Sequence, residues 1–117
     1  RAAERERDAS RALARAEAGL ERASCDLRRD LVNDPDFGSW TDGVINGVSC
    51  IVTTDAYTML PLTGNSLGAG TYAVELKSEA GRTGEIWIRV IGNTNGRRAA
   101  IQTYVRAHDL SVWKNAV

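Results

Sequence analysis

With one histidine, His108, and two cysteines, Cys25 and Cys50, the chain holds few of the side chains that build zinc sites or nucleophile–base pairs. His108 falls beyond the last expected strand with no acid–base constellation around it, so an enzyme is not expected. No run of about 18 apolar residues occurs, and none of the chain is expected to span a membrane as a helix. Net charge is also missing, because 15 basic side chains face 15 acidic ones. That balance argues against a general electrostatic hold on nucleic acid or on an anionic membrane, although it leaves room for a local patch. The first residue is Arg1, with no charged-then-apolar leader ahead of it. The expectation is of one small domain whose natural beginning lies further upstream.

What the chain does contain begins with charge and leucine in alternation. Leu13, Ala16, Leu20, Ala23, Leu27 and Leu31 recur at spacings of three and four, which lines them along one face of a helix over residues 1–33. Eight arginines and seven acids precede Val32. Pairs such as Glu4 with Arg7 and Arg22 with Asp26 add about 0.2–0.5 kcal/mol each to a solvated face. From Arg1 to Ser10 only alanines are apolar, so the helix is expected to dock by its C-terminal half and project by its N-terminal half. Asp34-Pro35 ends it, since proline lacks the N–H and pushes its predecessor out of the α region.

Residues 34–47 are dense in turn formers and read as a loop from helix to sheet, pinned by Phe37 and Trp40. Val48 to Thr54 alternates as a strand, with a short one at Val44-Ile45 ahead of it. Asp55 to Gly70 is broken by Pro61, Gly64, Asn65 and Gly68 and reads as a long loop. Three alternating strands follow, carrying Tyr72, Val74 and Leu76, then Ile86, Ile88 and Val90, then Ala99, Ile101, Thr103 and Val105. Asn95-Gly96 between the last two marks a type I′ hairpin, which sets Thr94 opposite Arg97, Val90 opposite Ile101 and Ile86 opposite Val105. For Leu76 and Ile86 to share a face, the preceding hairpin needs an odd loop, of three or five residues, around Ala80-Gly81-Arg82. The expected fold is α+β: a long N-terminal helix packed on an antiparallel sheet of about four strands within residues 48–107. Residues 108–117 form a tail or junction in which Leu110, Val112 and Trp113 are apolar.

Ala16-Glu17-Ala18-Gly19-Leu20-Glu21-Arg22-Ala23 resembles the helix segment of type IV pilin-like proteins, in particular minor pilins of the PilX type. The order that follows is similar too: Asp34-Pro35, a glycine-containing loop, Gly70-Thr71-Tyr72-Ala73-Val74, and a meander closing at Arg98 to Arg106. The leader, the cleavage site and the apolar N-terminal half-helix of that family are not in this sequence. The resemblance implies a structural, non-enzymatic subunit of a type IV pilus or secretion pseudopilus. It would be anchored in the inner membrane by a further N-terminal helix before assembly, and then sit in the periplasm or on the cell surface among other pilin subunits.

Cys25 and Cys50 read as a disulfide outside the cytoplasm and as two ordinary thiols in a reducing one. Cys25 lies well round the helix from the leucines, so a bridge belongs at the flank where the loop returns, stabilising by roughly 3 kcal/mol. Asp34, Asp36, Asp42 and Asp55 fall in loops, but their spacing fits no calcium cage, and they read as turn and capping carboxylates. The glycine-rich run from Gly64 to Gly70 has no Lys or helix after it to hold a phosphate. No metal, cofactor or small-molecule substrate is therefore expected. On the outward sheet face Trp87 meets Tyr104 and Arg89 meets Gln102, with Arg106 nearby. Aromatics interleaved with arginines make this the candidate partner face. The alternative to a filament subunit is a binding module that stacks single-stranded DNA or a glycan there; the plainer account is a structural pair worth about 0.2–1 kcal/mol.

Overall fold

In a computed structural model that describes residues 2–33, 39–61, 66–67, 70–82 and 84–107, one helix lies across one face of an antiparallel sheet. The helix, α1, runs Ala2–Asn33, and at 1.5 Å per residue it is about 48 Å long. It therefore spans most of the 51 Å long axis of the molecule. A 3₁₀ turn at Ser39–Thr41 follows, then β1 (Val44–Ile45), β2 (Val48–Ser49), β3 (Thr58–Met59), β4 (Ser66–Leu67), β5 (Gly70–Ser78), β6 (Glu85–Thr94) and β7 (Arg97–Arg106). The main sheet has the order β3-β5-β6-β7, with β4 also paired to β5, while β1 and β2 form a separate hairpin.

The hairpin of β6 and β7 has the expected register, with Thr94 opposite Arg97, Val90 opposite Ile101 and Ile86 opposite Val105. Its turn residues sit at positive φ, 52° for Asn95 and 80° for Gly96, as a type I′ turn demands. The β5–β6 hairpin pairs Leu76 with Ile88 and ends at Ser78 opposite Ile86. Seven residues, 79–85, thus lie between the last partners. The loop is odd, as the shared face of Leu76 and Ile86 requires, but longer than three or five.

Three expectations need correction. Four of the six residues of the expected stripe, Ala16, Ala23, Leu27 and Leu31, are buried, but in its first half Ala12 and Gly19 line the seam in place of Leu13 and Leu20. Leu13 is 45% exposed and Leu20 half-buried. The reason is steric: the sheet comes too close for leucines. A Cβ on Gly92 of β6 would run into the Ala12 carbonyl oxygen and stand 2.5 Å from the Ala16 nitrogen; one on Gly19 would stand 2.6 Å from Val90 Cγ1. Docking also begins earlier than expected, since Asp8 accepts a hydrogen bond from Asn95 at 3.3 Å and Ala12 is fully buried. Only residues 3–7 form a wholly exposed lead-in.

Second, Val48 to Thr54 is not a strand of the main sheet. Asn46 and Gly47, at φ 50° and 81°, make another tight turn, and β2 pairs back on β1 alone. Beyond it the alternation survives in burial only, with Cys50 and Val52 inside and Ile51 and Thr53 outside. The stretch touches β5 through one backbone bond, Ser78 N–H to the Thr53 carbonyl at 2.9 Å. The helix end holds this hairpin: Asp30 Oδ1 accepts the Asn46 N–H at 2.8 Å, and Trp40, 1% exposed, donates to the Leu27 carbonyl at 3.2 Å. The expected short strand at Val44-Ile45 is present as β1, the rest of the described loop before it adds a 3₁₀ turn, and the expected loop to Gly70 contains β3 and β4. Phe37, the Asp34-Pro35 stop, His108 and the tail to Val117 lie outside the described residues.

Third, Cys25 and Cys50 are both free thiols. Cys25 is exposed on the side of α1 away from the sheet, and Cys50 is buried in the core.

The core itself is Leu27, Leu31, Trp40, Ile45, Cys50, Leu60 and the inward residues of β5 and β6, from Tyr72 to Leu76 and from Ile86 to Val90. Because the tightest approach is backbone against backbone, Gly92→Ala should be the costliest single methyl in the protein. We expect a loss at the top of the range of about 1–3 kcal/mol for overpacking, or more, in denaturant unfolding. Gly19→Ala meets side chains and regains about 1 kcal/mol of helix propensity, so it should cost less. Equal losses would refute this account of the helix–sheet contact.

Candidate functional site

The outward face of the sheet brings together the four residues singled out for a partner face, Trp87, Arg89, Tyr104 and Arg106. Strand alternation puts odd residues of β5 and β6 and even residues of β7 on this side, and the register lines them up in rows. One row is Glu75, Arg89 and Gln102; the next is Lys77, Trp87 and Tyr104; the last pairs Glu85 with Arg106. The Trp87 and Tyr104 rings lie 4.8 Å apart, centroid to centroid, tilted at 57°. That is a tilted contact rather than a flat stacking platform.

The polar groups of the four residues all find an opposite number. Trp87 Nε1 donates to Glu79 at 2.9 Å, and the Tyr104 hydroxyl donates to Glu85 at 2.7 Å. Arg106 stands 3.7 Å from the same Glu85 oxygen. Arg89 Nε donates to Glu75 at 2.7 Å, and its guanidinium lies 4.1 Å from the centre of the Tyr57 ring, with the Lys77 ammonium 5.9 Å from it. The four expected residues therefore form two knots, one around Glu75 and one around Glu79 and Glu85. The sequence reading missed these carboxylates and Tyr57; the alternation of β5 already placed Glu75 outward, but the loop length that sets it opposite Arg89 was unknown.

The electrostatics follow from those pairs. The hydrogen bond to Glu75 holds the Arg89 proton more firmly than usual, and the hydrogen bond to Glu85 raises the Tyr104 phenol. Burial raises the Tyr57 phenol against the opposing charge of Arg89. A phosphate backbone needs a line of unpaired cations; here Arg89 and Arg106 already face carboxylates, while Lys77 lies by the Tyr57 ring and Arg98 has no ion pair among the described residues. Glu79, Glu85, Trp87 and Arg106 rim an open depression of about 340 Å³, and Met59, Ala73, Glu75, Ile91 and Arg98 another of about 470 Å³. Neither holds a nucleophile beside a base. Among the described residues no three His, Cys, Asp or Glu side chains cluster to hold a metal, and no helix is long and apolar enough to cross a membrane. The remaining candidates are the thiols: Cys50 donates weakly to the Met59 carbonyl at 3.8 Å, and burial pushes it up, away from the reactive thiolate.

Compared with protein-family models, with curated proteins and with solved structures, the chain matches none.

Two measurements check this description. A thiol reagent should modify Cys25 in the folded protein and reach Cys50 only on unfolding, so Cys25→Ser should abolish native labelling; two fast-reacting thiols would contradict the buried position of Cys50. The raised Tyr104 phenol favours the protonated form in the folded state. Its contribution is complete below about pH 10, the ordinary phenol value, and is lost as pH rises through the higher folded value. Thermal unfolding followed from pH 8 upward should therefore fall less steeply above pH 10 in Tyr104→Phe than in the wild type. Parallel curves would dismiss the bond to Glu85.

Proposed function

We propose that this chain is the head and helical neck of a structural filament subunit of the type IV pilin class, a minor pilin or a secretion pseudopilin, acting in filament assembly and surface display. The observation that carries the reading is the way α1 is held. From Ala12 to Ala23 it is clamped by a seam of alanine and glycine against the sheet, Leu27 and Leu31 continue the buried row, and residues 3–7 near its start stand exposed with only charge and alanine on them. A neck so held moves with its head as one rigid piece, which suits a subunit whose work is geometric. The segment Ala16 to Ala23, where the sequence resembles those pilins, is the clamped part. Anchoring before assembly falls to an apolar helix ahead of Arg1, and the partners are other pilin or pseudopilin subunits.

The rival reading, a module for single-stranded DNA or glycans on the Trp87 face, has half-exposed rings in its favour and the carboxylates of Glu79 and Glu85 against it. Support for the filament reading also comes from the carboxylates that already face Arg89 and Arg106 on the outer sheet, which leave that surface less suited to grip an anionic strand.

The deciding experiment is on the native gene and its cell. The codons ahead of Arg1 should encode a prepilin-type leader and about 20 apolar residues, enough to cross a bilayer, and deletion of the gene should reduce filaments or secretion. An upstream sequence without that stretch would end the filament reading. Saturable binding of an oligonucleotide or glycan that Trp87→Ala removes would put the rival in its place.

A further inference from the structure

The arginines of α1 are not scattered evenly round it. At about 100° per residue, Arg11, Arg15 and Arg22 fall within about 40° of one another, with Arg7 a little further round, and the four make a ridge about 22 Å long. Arg22 Nη1 donates to the Tyr72 hydroxyl at 3.5 Å, which puts the ridge on the β5 side of the helix. Arg7 and Arg11 are exposed, and Arg15 is half-buried. Among the described residues none of Arg7, Arg11 and Arg15 makes an ion pair, and the covered Nε–H of Arg15 has no acceptor.

The acids of the helix are segregated from this line. Glu17 and Glu21 lie about 120° or more round from Arg15, Glu4 and Asp26 fall beyond the two ends, and Asp8 accepts a hydrogen bond from the Asn95 amide at the hairpin tip. A helix with its side chains is about 10–12 Å across, which exceeds the Debye length of about 8 Å at physiological salt, so charges on its far side are largely screened from the ridge. Zero net charge therefore leaves a local positive field here.

The flank of the sheet beside the ridge adds no carboxylate. Residues 56–74 supply β3, β4, the first half of β5 and all the chain that joins them, and not one of them is charged. The segment neither pairs with the arginines nor adds to them.

The make-up of the ridge selects its partner. Every basic residue of α1 is an arginine, whose planar fork matches phosphate oxygens better than a lysine ammonium does. A protein partner or a lipid surface would call for apolar anchors beside the charge, and between Arg7 and Arg22 this side offers only Ala14 and Ala18. Interfaces with nucleic acid are instead polar and strongly positive. We propose that Arg7, Arg11, Arg15 and Arg22 hold the phosphodiester backbone of a nucleic acid strand along the β5 shoulder of α1, without reading its sequence. The rise from Arg7 to Arg11, and from Arg11 to Arg15, is about 6 Å, close to two nucleotides of a strand advancing about 3.4 Å for each. This shoulder is separate from the outer sheet face, where Arg89 and Arg106 are engaged by carboxylates. The inference does not rest on the filament reading.

Fluorescence anisotropy of a labelled single strand of about 20 nucleotides, titrated with the 117-residue chain, should give a micromolar dissociation constant at low salt; a duplex of the same length shows which form is preferred. For the single strand, the logarithm of the association constant should fall against the logarithm of salt with a slope of about −2 to −3, one phosphate for each arginine engaged. Glutamine keeps the helix propensity, so Arg11→Gln with Arg15→Gln should stay folded, bind at least about tenfold more weakly and flatten the slope by about one or more. Arg28→Gln, on the far side of the helix, should change the affinity less than about twofold, and Trp87→Ala should leave it unaltered. No binding at 100 μM protein in low salt would overturn the proposal. So would a loss with Arg28→Gln as large as with Arg11→Gln, a loss with Trp87→Ala, or equal affinity for polyglutamate or for vesicles of anionic lipid, which would give the ridge to an acidic protein or a membrane.

Discussion

The close passage of α1 over Gly92 is the constraint from which the remaining architecture follows. Ordinary helix-on-sheet packing is spaced by the side chains between the two layers. Here the Ala12 carbonyl and the Ala16 nitrogen rest directly over a strand backbone, with no room for one methyl group. Gly92 in mid-strand and Gly19 in mid-helix are each unfavourable locally, by about 0.5–1 kcal/mol relative to alanine. Their positions make sense only together with Ala12, Ala16 and Ala23, as the two sides of a single contact.

That contact decides where the larger apolar residues go. With small residues in the middle, Leu27 and Leu31 fill the space only at the far end, where the layers diverge enough to admit Trp40 and Ile45 as well. Leu13 and Leu20 are displaced to a shoulder, and β7, further from the helix axis than β6, keeps its inward side chains half-exposed. The outer face is organised on a different basis. No second layer covers it among the described residues, so it is held by cross-strand pairs: Glu75 with Arg89, Trp87 with Tyr104, and Glu85 with Tyr104 and Arg106. Such exposed ion pairs add little to stability, being screened by solvent. Their larger effect is on register, because a one-residue slip would set every one of them against the core.

How much of this could be read in advance varied with how local the signal was. Asn95-Gly96 and the alternation on either side determine the β6–β7 register without any other information, and every pair deduced from them is found. The same dipeptide at Asn46-Gly47 carries equal local information: the short strand at Val44-Ile45 is legible ahead of it, but its two-residue return, Val48-Ser49, merges with the alternation that runs on to Thr54. Helix existence and extent were plain, and the docking face was legible in its second half but not in its first. Hydrophobicity favours the leucine row, whereas the sheet selects the row with the least volume, and nothing within α1 reports that Gly92 waits opposite. Strand alternation correctly brought Trp87, Arg89, Tyr104 and Arg106 to one outward face, but the carboxylates they meet depended on the seven-residue loop, whose length the sequence constrained only to be odd. Count favours pairing Cys25 with Cys50, but Cys25 already lies well round the helix from the leucines, and the seam keeps it in solvent while Cys50 is buried.

A helix held through side-chain ridges can rock within its groove, because leucines change rotamer at little cost. One seated backbone-on-backbone at Gly92, fixed to the hairpin tip by Asn95 and Asp8, and joined at its far end to Trp40 and Asn46 has few such adjustments left. These attachments span residues 8 to 30, so a displacement applied at the first turns is passed to the whole sheet with little bending between. Rotation about the helix axis is blocked by the same contact, since turning by one residue would drive Leu13 or Leu20 into the space that Ala12 and Gly19 occupy. The scarcity of bulk along the seam, which hid the docking face from a reading by hydrophobicity, is therefore what makes shaft and sheet a single rigid body.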